Sequence, residues 1–184
     1  MQEKYGLRVV KVKDRKELLP YGPAVFETIN KAYSNLYGYS ELSPAQIEYY
    51  TKLYIPMLRP EFVTLIVREK DEKVVGIAIS MPNLSKALKL ANGKLFPFGF
   101  IHLLRALKGR PRVIDLYLMG VLPEYMNRGV NALLFNDLIP IYQKFGVEYA
   151  ESNPELETNM SVQMQWDYFE RKHHKTRRAF IKKL

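Results

Sequence analysis

Leu118-Met119-Gly120-Val121-Leu122-Pro123-Glu124-Tyr125-Met126-Asn127-Arg128-Gly129-Val130-Asn131-Ala132-Leu133-Leu134 runs from an apolar strand, through a turn, into the first turns of a helix. Gly129 stands where the helix begins. The first N–H groups of a helix have no partner within it and lie at the positive end of its dipole, so they suit an anion. Arg128 adds a fixed positive charge at the same place. One glycine and one arginine also fit a plain turn, and at this level both readings stand. Upstream, Val113 to Val121 is the most apolar run of the chain, broken only by Asp115, as in a central strand buried on both faces. Downstream, Val130, Leu133, Leu134, Leu138, Ile141 and Phe145 recur at helical spacing, with Gly146 suited to the residue after the helix. Pro140 predicts a kink or an early end in that helix.

Working outward, Leu7 to Val12 reads as a first strand and Pro20 to Leu36 as a helix with Val25, Ile29, Ala32 and Leu36 on one face. A second helix is predicted from Ser43, a good N-cap, with Pro44 at the first helical position and Gln46 completing a capping box. Phe62 to Val67 and Val74 to Met81 flank the polar turn Lys70-Asp71-Glu72-Lys73 as a hairpin. Leu84 to Leu90 and Phe100 to Leu107 read as short amphipathic helices. After the central helix come a strand at Val147 to Ala150, a helix at Glu155 to Phe169 and a last strand at Lys175 to Ile181. This order predicts an α/β, or layered α+β, fold with a mixed central sheet of about six to seven strands flanked by helices.

The 184 residues suit a single domain, 1–184, and a composition 47% hydrophobic and 26% charged excludes disorder. With no cysteine, thiolate chemistry, disulfides and cysteine-bound metals are excluded. His102, His173 and His174 show no metal-ligand spacing with carboxylates, so no metal is expected. No apolar run approaches a membrane span and Met1 to Asp14 lack a signal peptide's apolar stretch, which makes a cytoplasmic protein the expectation. The net charge of +9 is uneven: Arg171, Lys172, Lys175, Arg177, Arg178, Lys182 and Lys183 supply seven of it in the last fourteen residues. Such a block can meet nucleic acid, an anionic membrane or a phosphate-rich ligand, but it also reads as a solvated, lysine-rich edge strand.

Taken with the order of elements, the quoted stretch resembles the acyl-CoA-binding segment of the GNAT superfamily of N-acyltransferases. Its pattern is Val-x-Pro, a short gap, then Gln/Arg-x-x-Gly-x-Gly/Ala at a helix start. Val121, Pro123 and Gly129 match; Met126 and Asn131 stand where Gln/Arg and Gly/Ala are usual. The similarity extends along nearly the whole chain. It is greatest to the carboxy-terminal half of longer bacterial GNAT-like proteins of unassigned substrate, through Asn30-Lys31-Ala32-Tyr33, Tyr37-Gly38-Tyr39, Asn92 to Gly99, Gly120 to Tyr125 and Leu156 to Asn159. If so, Met1 marks the start of a fragment of a two-domain chain.

The resemblance implies acetyl-CoA, or another acyl-CoA, as donor. Val121, Met126, Asn127, Arg128, Gly129, Val130 and Asn131 are then the cofactor-binding segment: loop amides hold the pyrophosphate, and the strand ending at Val121 aligns the pantetheine arm and donates to the thioester oxygen. Asn159 would bond the same arm. Asp115, six residues before Val121, is where family members often place the base. Burial in an apolar run raises a carboxylate's pKa toward a useful value, although an aspartate here could also cap a turn or pair with Arg112. Seven residues after Asn159, where a tyrosine acid is usual, stands Trp166, which cannot supply a proton usefully. Tyr37 and Tyr39, either side of Gly38 in a loop on the acceptor side, are the candidate substrate-binding lid.

Two function classes follow. One is an N-acyltransferase acting on an amine of a small molecule or peptide. The other is a catalytically degenerate GNAT-like domain that binds CoA, or serves as an interface, without transfer. Nucleic acid and membrane are not expected as partners; a second GNAT-like domain in a longer chain, or a homo-oligomer, is. Met126, Asn131 and Trp166 favour the degenerate domain, whereas Gly129, Asn159 and the intact order of elements favour the enzyme.

Overall fold

The computed structural model of the chain describes residues 2–182; Met1 and Lys183, which figure in the readings above, lie outside them. Four strands of alternating direction and one parallel strand form a single mixed sheet in the order β1-β2-β3-β4-β5. A short helix α1 (Gln2–Tyr5) leads into β1 (Leu7–Val10). Then come α2 (Arg15–Leu18), α3 (Gly22–Tyr33) and α4 (Pro44–Tyr54). The hairpin β2 (Val63–Arg68) and β3 (Lys73–Pro82) follows. Two helices, α5 (Ser85–Leu90) and α6 (Gly99–Lys108), lead to β4 (Val113–Val121). The chain continues through α7 (Val130–Phe145), β5 (Tyr149–Ser152) and α8 (Met160–Gln165).

The sheet separates two apolar layers. On one face Ile66, Ala78, Ile114, Leu116 and Val121 pack against Val130, Leu134, Leu138 and Tyr142 of α7. On the other, Val63, Leu65, Ile77 and Ile79 meet Leu18, Val25 and Ile29 of α2 and α3. Leu134 and Leu138 are fully buried, so truncating either to alanine would cost about 2–5 kcal/mol. The capping box predicted at α4 is present: the Gln46 N–H donates to Ser43 Oγ (3.3 Å) and the Ser43 N–H to Gln46 Oε1 (2.9 Å).

Four expectations are corrected. Pro140 does not shorten α7, which runs unbroken to Phe145 and closes with Gly146 in the left-handed region (φ 75°). The buried contacts of Leu138 and Tyr142 hold the helix on either side of the proline. The strand expected at Val147 to Ala150 lies two residues later. The helix expected from Glu155 to Phe169 is only α8 and one 3-10 turn, Trp166–Tyr168, because the Leu156 carbonyl takes the Asn159 N–H into a turn (3.0 Å). No strand forms at Lys175 to Ile181, so among the described residues the sheet has five strands and not six or seven. That segment has nothing to bury: Phe180 is 86% exposed and Ile181 93%, among like charges.

Candidate functional site

The site begins with an irregularity in β4. Leu116 pairs with Ser80 and Leu118 with Ile79, so Tyr117 is an extra residue. A bulge of this kind reverses which face later residues address. Ile114 and Leu116 pack on the α7 side, yet Met119 and Val121 do too, while Leu118 and Gly120 turn to α3. The parallel pairing with β5 stops at the same place, at Leu116 opposite Ser152. Asn153, just past β5, caps the break by donating from Nδ2 to the carbonyls of Leu116 (3.0 Å) and Tyr117 (2.9 Å).

Beyond the bulge β4 is paired on one side only. The Leu122 N–H donates to the Val75 carbonyl (2.9 Å), and an antiparallel ladder alternates, so Leu118 and Gly120 bond β3 while Met119 and Val121 turn their polar groups the other way. No strand receives them there. The Met119 carbonyl accepts instead from the hydroxyl of Tyr33 on α3 (2.8 Å). Burial raises the Tyr33 pKa above its usual value, against the lowering effect of this hydrogen bond, so the hydroxyl stays protonated at neutral pH. Helix α3 comes this close because Gly120 faces it: a Cβ there would lie 3.3 Å from both Ala32 Cβ and Ile29 Cδ1.

The open half of β4 leads directly into the loop before α7. Asn127 and Gly129 both adopt left-handed backbone, φ 58° and 75°. The N–H groups of Met126 and Arg128 are used within the loop, by the carbonyls of Pro123 and Tyr125. Among the described residues those of Gly129, Val130, Asn131 and Ala132 have no backbone partner, and no side chain caps the helix. Asn131, the bulky departure from the pattern, directs its Nδ2 to Gln165 Oε1 (3.4 Å) on α8. The Arg128 guanidinium lies over the rings of Tyr5 (5.5 Å) and Tyr125 (5.8 Å). A shallow depression bounded by Tyr5, Arg68, Lys70 and Tyr125 adjoins it. Four converging free amides and a cation form a donor set that fits a pyrophosphate.

Asp115 lies on the paired half of β4, on the α3 face, where Asn83 Nδ2 donates to its Oδ1 (2.7 Å). Partial burial raises its pKa above the usual carboxylate value, with Glu151 adding to the rise, while Asn83 and Lys175 oppose it. Arg112 is not its partner; that guanidinium grips Glu148 with two bonds (2.7 and 2.6 Å). Asn159 precedes the first turn of α8, and its Oδ1 accepts from Ser161 Oγ (3.0 Å). Trp166 donates from Nε1 to Glu155 (2.7 Å) and packs edge-on against Phe135 and tilted against Phe169, which fastens the end of α8 to α7. Of the two lid candidates, Tyr37 is 85% exposed. Tyr39 is tied to α3, its hydroxyl donating to Asn30 Oδ1 (2.7 Å) and its ring set edge-on against Tyr33 (5.6 Å).

Asn83 and Asn153 were not singled out in the sequence, and Tyr33 entered only within the segment Asn30 to Tyr33, with no role at β4. Its inward direction was legible, since it sits four residues after Ile29 and continues the inner face of α3. Nothing local marks the two asparagines, because their partners are distant carbonyl and carboxylate groups.

No family model matches the chain. It is 28% identical over 127 residues to Protein YghO of Escherichia coli (strain K12), covering 59% of this chain and 33% of YghO, so it spans about a third of that protein's length. A possible acetyltransferase from Clostridium difficile 630 superposes with a TM-score of 0.60 at 13% identity, covering 96% of this chain and 99% of that one. AAC(6')-Iy, in complex with the bisubstrate analogue CoA-S-monomethyl-acetylneamine, gives 0.56 at 11% identity, covering 97% and 99%. A GCN5-related N-acetyltransferase from Sphaerobacter thermophilus gives 0.52 at 15% identity, covering 84% of this chain and 37% of that one. The chain therefore has the fold of the GNAT acetyltransferases.

Proposed function

We propose that the chain is an N-acyltransferase that moves an acetyl or other acyl group from acyl-CoA to an amine. The observation that carries this reading is the continuity between the one-sided half of β4 and the uncapped amide loop at Gly129. The amides of Gly129 to Ala132, with Arg128 and flanked by Met126 and Asn127, receive the pyrophosphate. Met119 and Val121 offer N–H groups along the open edge to the pantetheine arm and the thioester carbonyl, an oxyanion-hole role played by backbone. Asn159 bonds the same arm from the residue before α8. What acyl-CoA supplies is an activated carbonyl carbon on a good leaving group.

On the α3 face, Asp115 accepts the proton that the amine loses as its nitrogen bonds to the carbonyl carbon. The carbon–sulfur bond breaks, and the Tyr33 hydroxyl, on releasing Met119, donates a hydrogen bond to the departing thiolate. The proton on Asp115 balances the charge on sulfur. The acceptor is a small molecule or peptide bearing an amine, entering past Tyr37; the analogue bound to AAC(6')-Iy, with its CoA and acetylneamine portions, supports that class. In this reading residues 1–184 act in the cytoplasm as one domain of a longer protein; the coverage of only 33% of YghO supports the greater length.

A second reading, a domain that binds CoA without transfer, is favoured by Trp166, whose ring and Nε1 are committed to packing and to Glu155. Calorimetric titration with acetyl-CoA, desulfo-CoA and ATP separates the readings. Saturable binding of the two CoA forms and not ATP, weakened about a hundredfold or more by Gly129→Trp, supports the loop assignment. Release of free thiol on adding amines then distinguishes transfer from binding alone. No binding at about millimolar acetyl-CoA removes the enzyme reading for this chain.

A further inference from the structure

The segment between β3 and β4 carries chemistry that the proposed transfer does not use. From Asn83 to Pro111 it holds Lys86, Lys89, Lys94, Arg105, Lys108 and Arg110 and not one acidic residue. None of these six makes an ion pair among the described residues. The same segment presents Leu88, Leu90, Leu95, Phe96, Phe98 and Leu104 to solvent, with Phe96 80% and Phe98 70% exposed. Helix α6 buries none of its residues fully, although its apolar side chains repeat with helical period. Phe96 and Phe100 place their rings 6.2 Å apart, and Phe98 stands between them in the chain, in the connection from α5 to α6.

Exposed aromatic and aliphatic side chains ringed by unpaired cations match a specific environment. Soluble proteins rarely leave so large an apolar cluster uncovered. A helix with phenylalanine and leucine on one side and lysine or arginine on the other settles at the boundary between lipid headgroups and acyl chains. Anionic lipid supplies the counter-charge that this segment does not find among the described residues. A second copy of the chain would bring identical cationic surfaces together across a two-fold axis and repel. Nucleic acid would satisfy the cations and leave the leucines with nothing to contact. We infer that the α5–α6 segment docks the protein peripherally on an anionic membrane surface, with Phe96 and Phe98 entering the headgroup boundary. This departs from the expectation of no membrane partner, which rested on the lack of an apolar span; among the described residues no helix is long and apolar enough to cross a membrane.

The test is co-sedimentation of the full chain with phosphatidylcholine vesicles, with and without phosphatidylserine. Binding is expected only with phosphatidylserine, and weaker at about 0.5 M than at about 0.1 M salt. Phe96→Ser with Phe98→Ser should weaken it about tenfold, since it removes the inserted apolar groups and leaves every charge in place. Lys86→Glu with Lys89→Glu should weaken it as well, whereas Arg177→Ala with Arg178→Ala in the basic tail should not. All three changes are at exposed positions, and unchanged thermal melting confirms that each variant is folded. The inference is overturned by equal binding to both vesicle types or by no binding to either. It is also overturned if only the tail variant loses binding, or if the phenylalanine pair instead abolishes a self-associated or nucleic-acid-bound form.

Discussion

The two halves of β4 are one apolar strand with two different jobs. From Val113 to Leu116 it is paired on both sides, with β3 and with β5, and it holds Asp115 beside Asn83. From Leu118 to Val121 it is paired with β3 alone, and the polar groups of Met119 and Val121 face an open side. Asp115 apart, both halves are apolar. One extra residue, Tyr117, makes the difference: it shifts the register, flips the faces and lets β5 part from β4. A single bulge thus turns the end of a core strand into an edge with free hydrogen-bond donors.

The largest effect belongs to the paired half. Asp115→Asn should lower the transfer rate by about 10²–10⁴-fold with acyl-CoA affinity unchanged. In the wild type the rate should fall as pH drops through a pKa lying above the ordinary aspartate value, because burial favours the neutral acid. The same raised pKa bears on stability in a fixed direction. The folded chain holds this proton more tightly than the unfolded chain, so its contribution is fully present below about pH 4 and lost as pH rises through the raised value. Asp115→Asn should therefore narrow the drop in melting temperature on going from acid to neutral pH. Parallel melting curves for variant and wild type would contradict it.

In the open half, Tyr33→Phe removes the hydroxyl at the Met119 carbonyl, and kcat should fall about tenfold with KM for acyl-CoA unchanged. A rise in KM alone would instead make Tyr33 part of cofactor binding. Gly120→Val tests the packing that brings Tyr33 there. With Ala32 and Ile29 already 3.3 Å from an added Cβ, urea unfolding should show a loss of about 1–3 kcal/mol. No change in stability would mean that α3 can retreat. The smallest effect lies away from both halves, on the α7 layer. Tyr142, whose hydroxyl pairs with Ser80, has its pKa pushed up to about 12 mainly by burial. Stability from that buried phenol is present below about pH 10 and lost as pH rises through the folded value of about 12. Tyr142→Phe should flatten alkaline unfolding measured by near-ultraviolet absorbance.

Most of the elements could be read from local signals. Ser43, Pro44 and Gln46 marked the start of α4 by their own hydrogen-bonding groups, and Gly146 marked the end of α7 by its backbone freedom. Strands β2 and β3 were legible because charged turn residues separate two β-branched runs. The bulge in β4 was not legible. A strand apolar on both faces has no alternation of polar and apolar residues, so a one-residue slip leaves no trace in the pattern. Helix α8 was overread because Leu156 and Asn159 carry helical spacing while their backbone groups close a turn. The strand expected at Lys175 to Ile181 failed for a related reason: β-branched and aromatic residues make a strand only where a neighbour buries them.

The candidate site divides the same way. Gly129, Arg128, Asp115 and the loop between them were visible because each residue type carries its own chemistry at a fixed spacing. Tyr33 at the Met119 carbonyl, Asn83 at Asp115 and Asn153 at the parting of β4 and β5 were not, since each joins groups far apart in the chain. By itself the sequence determined where the chain turns, which runs are apolar and where a helix could present bare amides, because propensities, caps and periodicity act within a few residues. Tertiary structure alone decided that β4 opens at Tyr117 and which hydroxyl closes over its free edge. Those outcomes depend on how two sheet faces, α3 and α7 compete for the same strand.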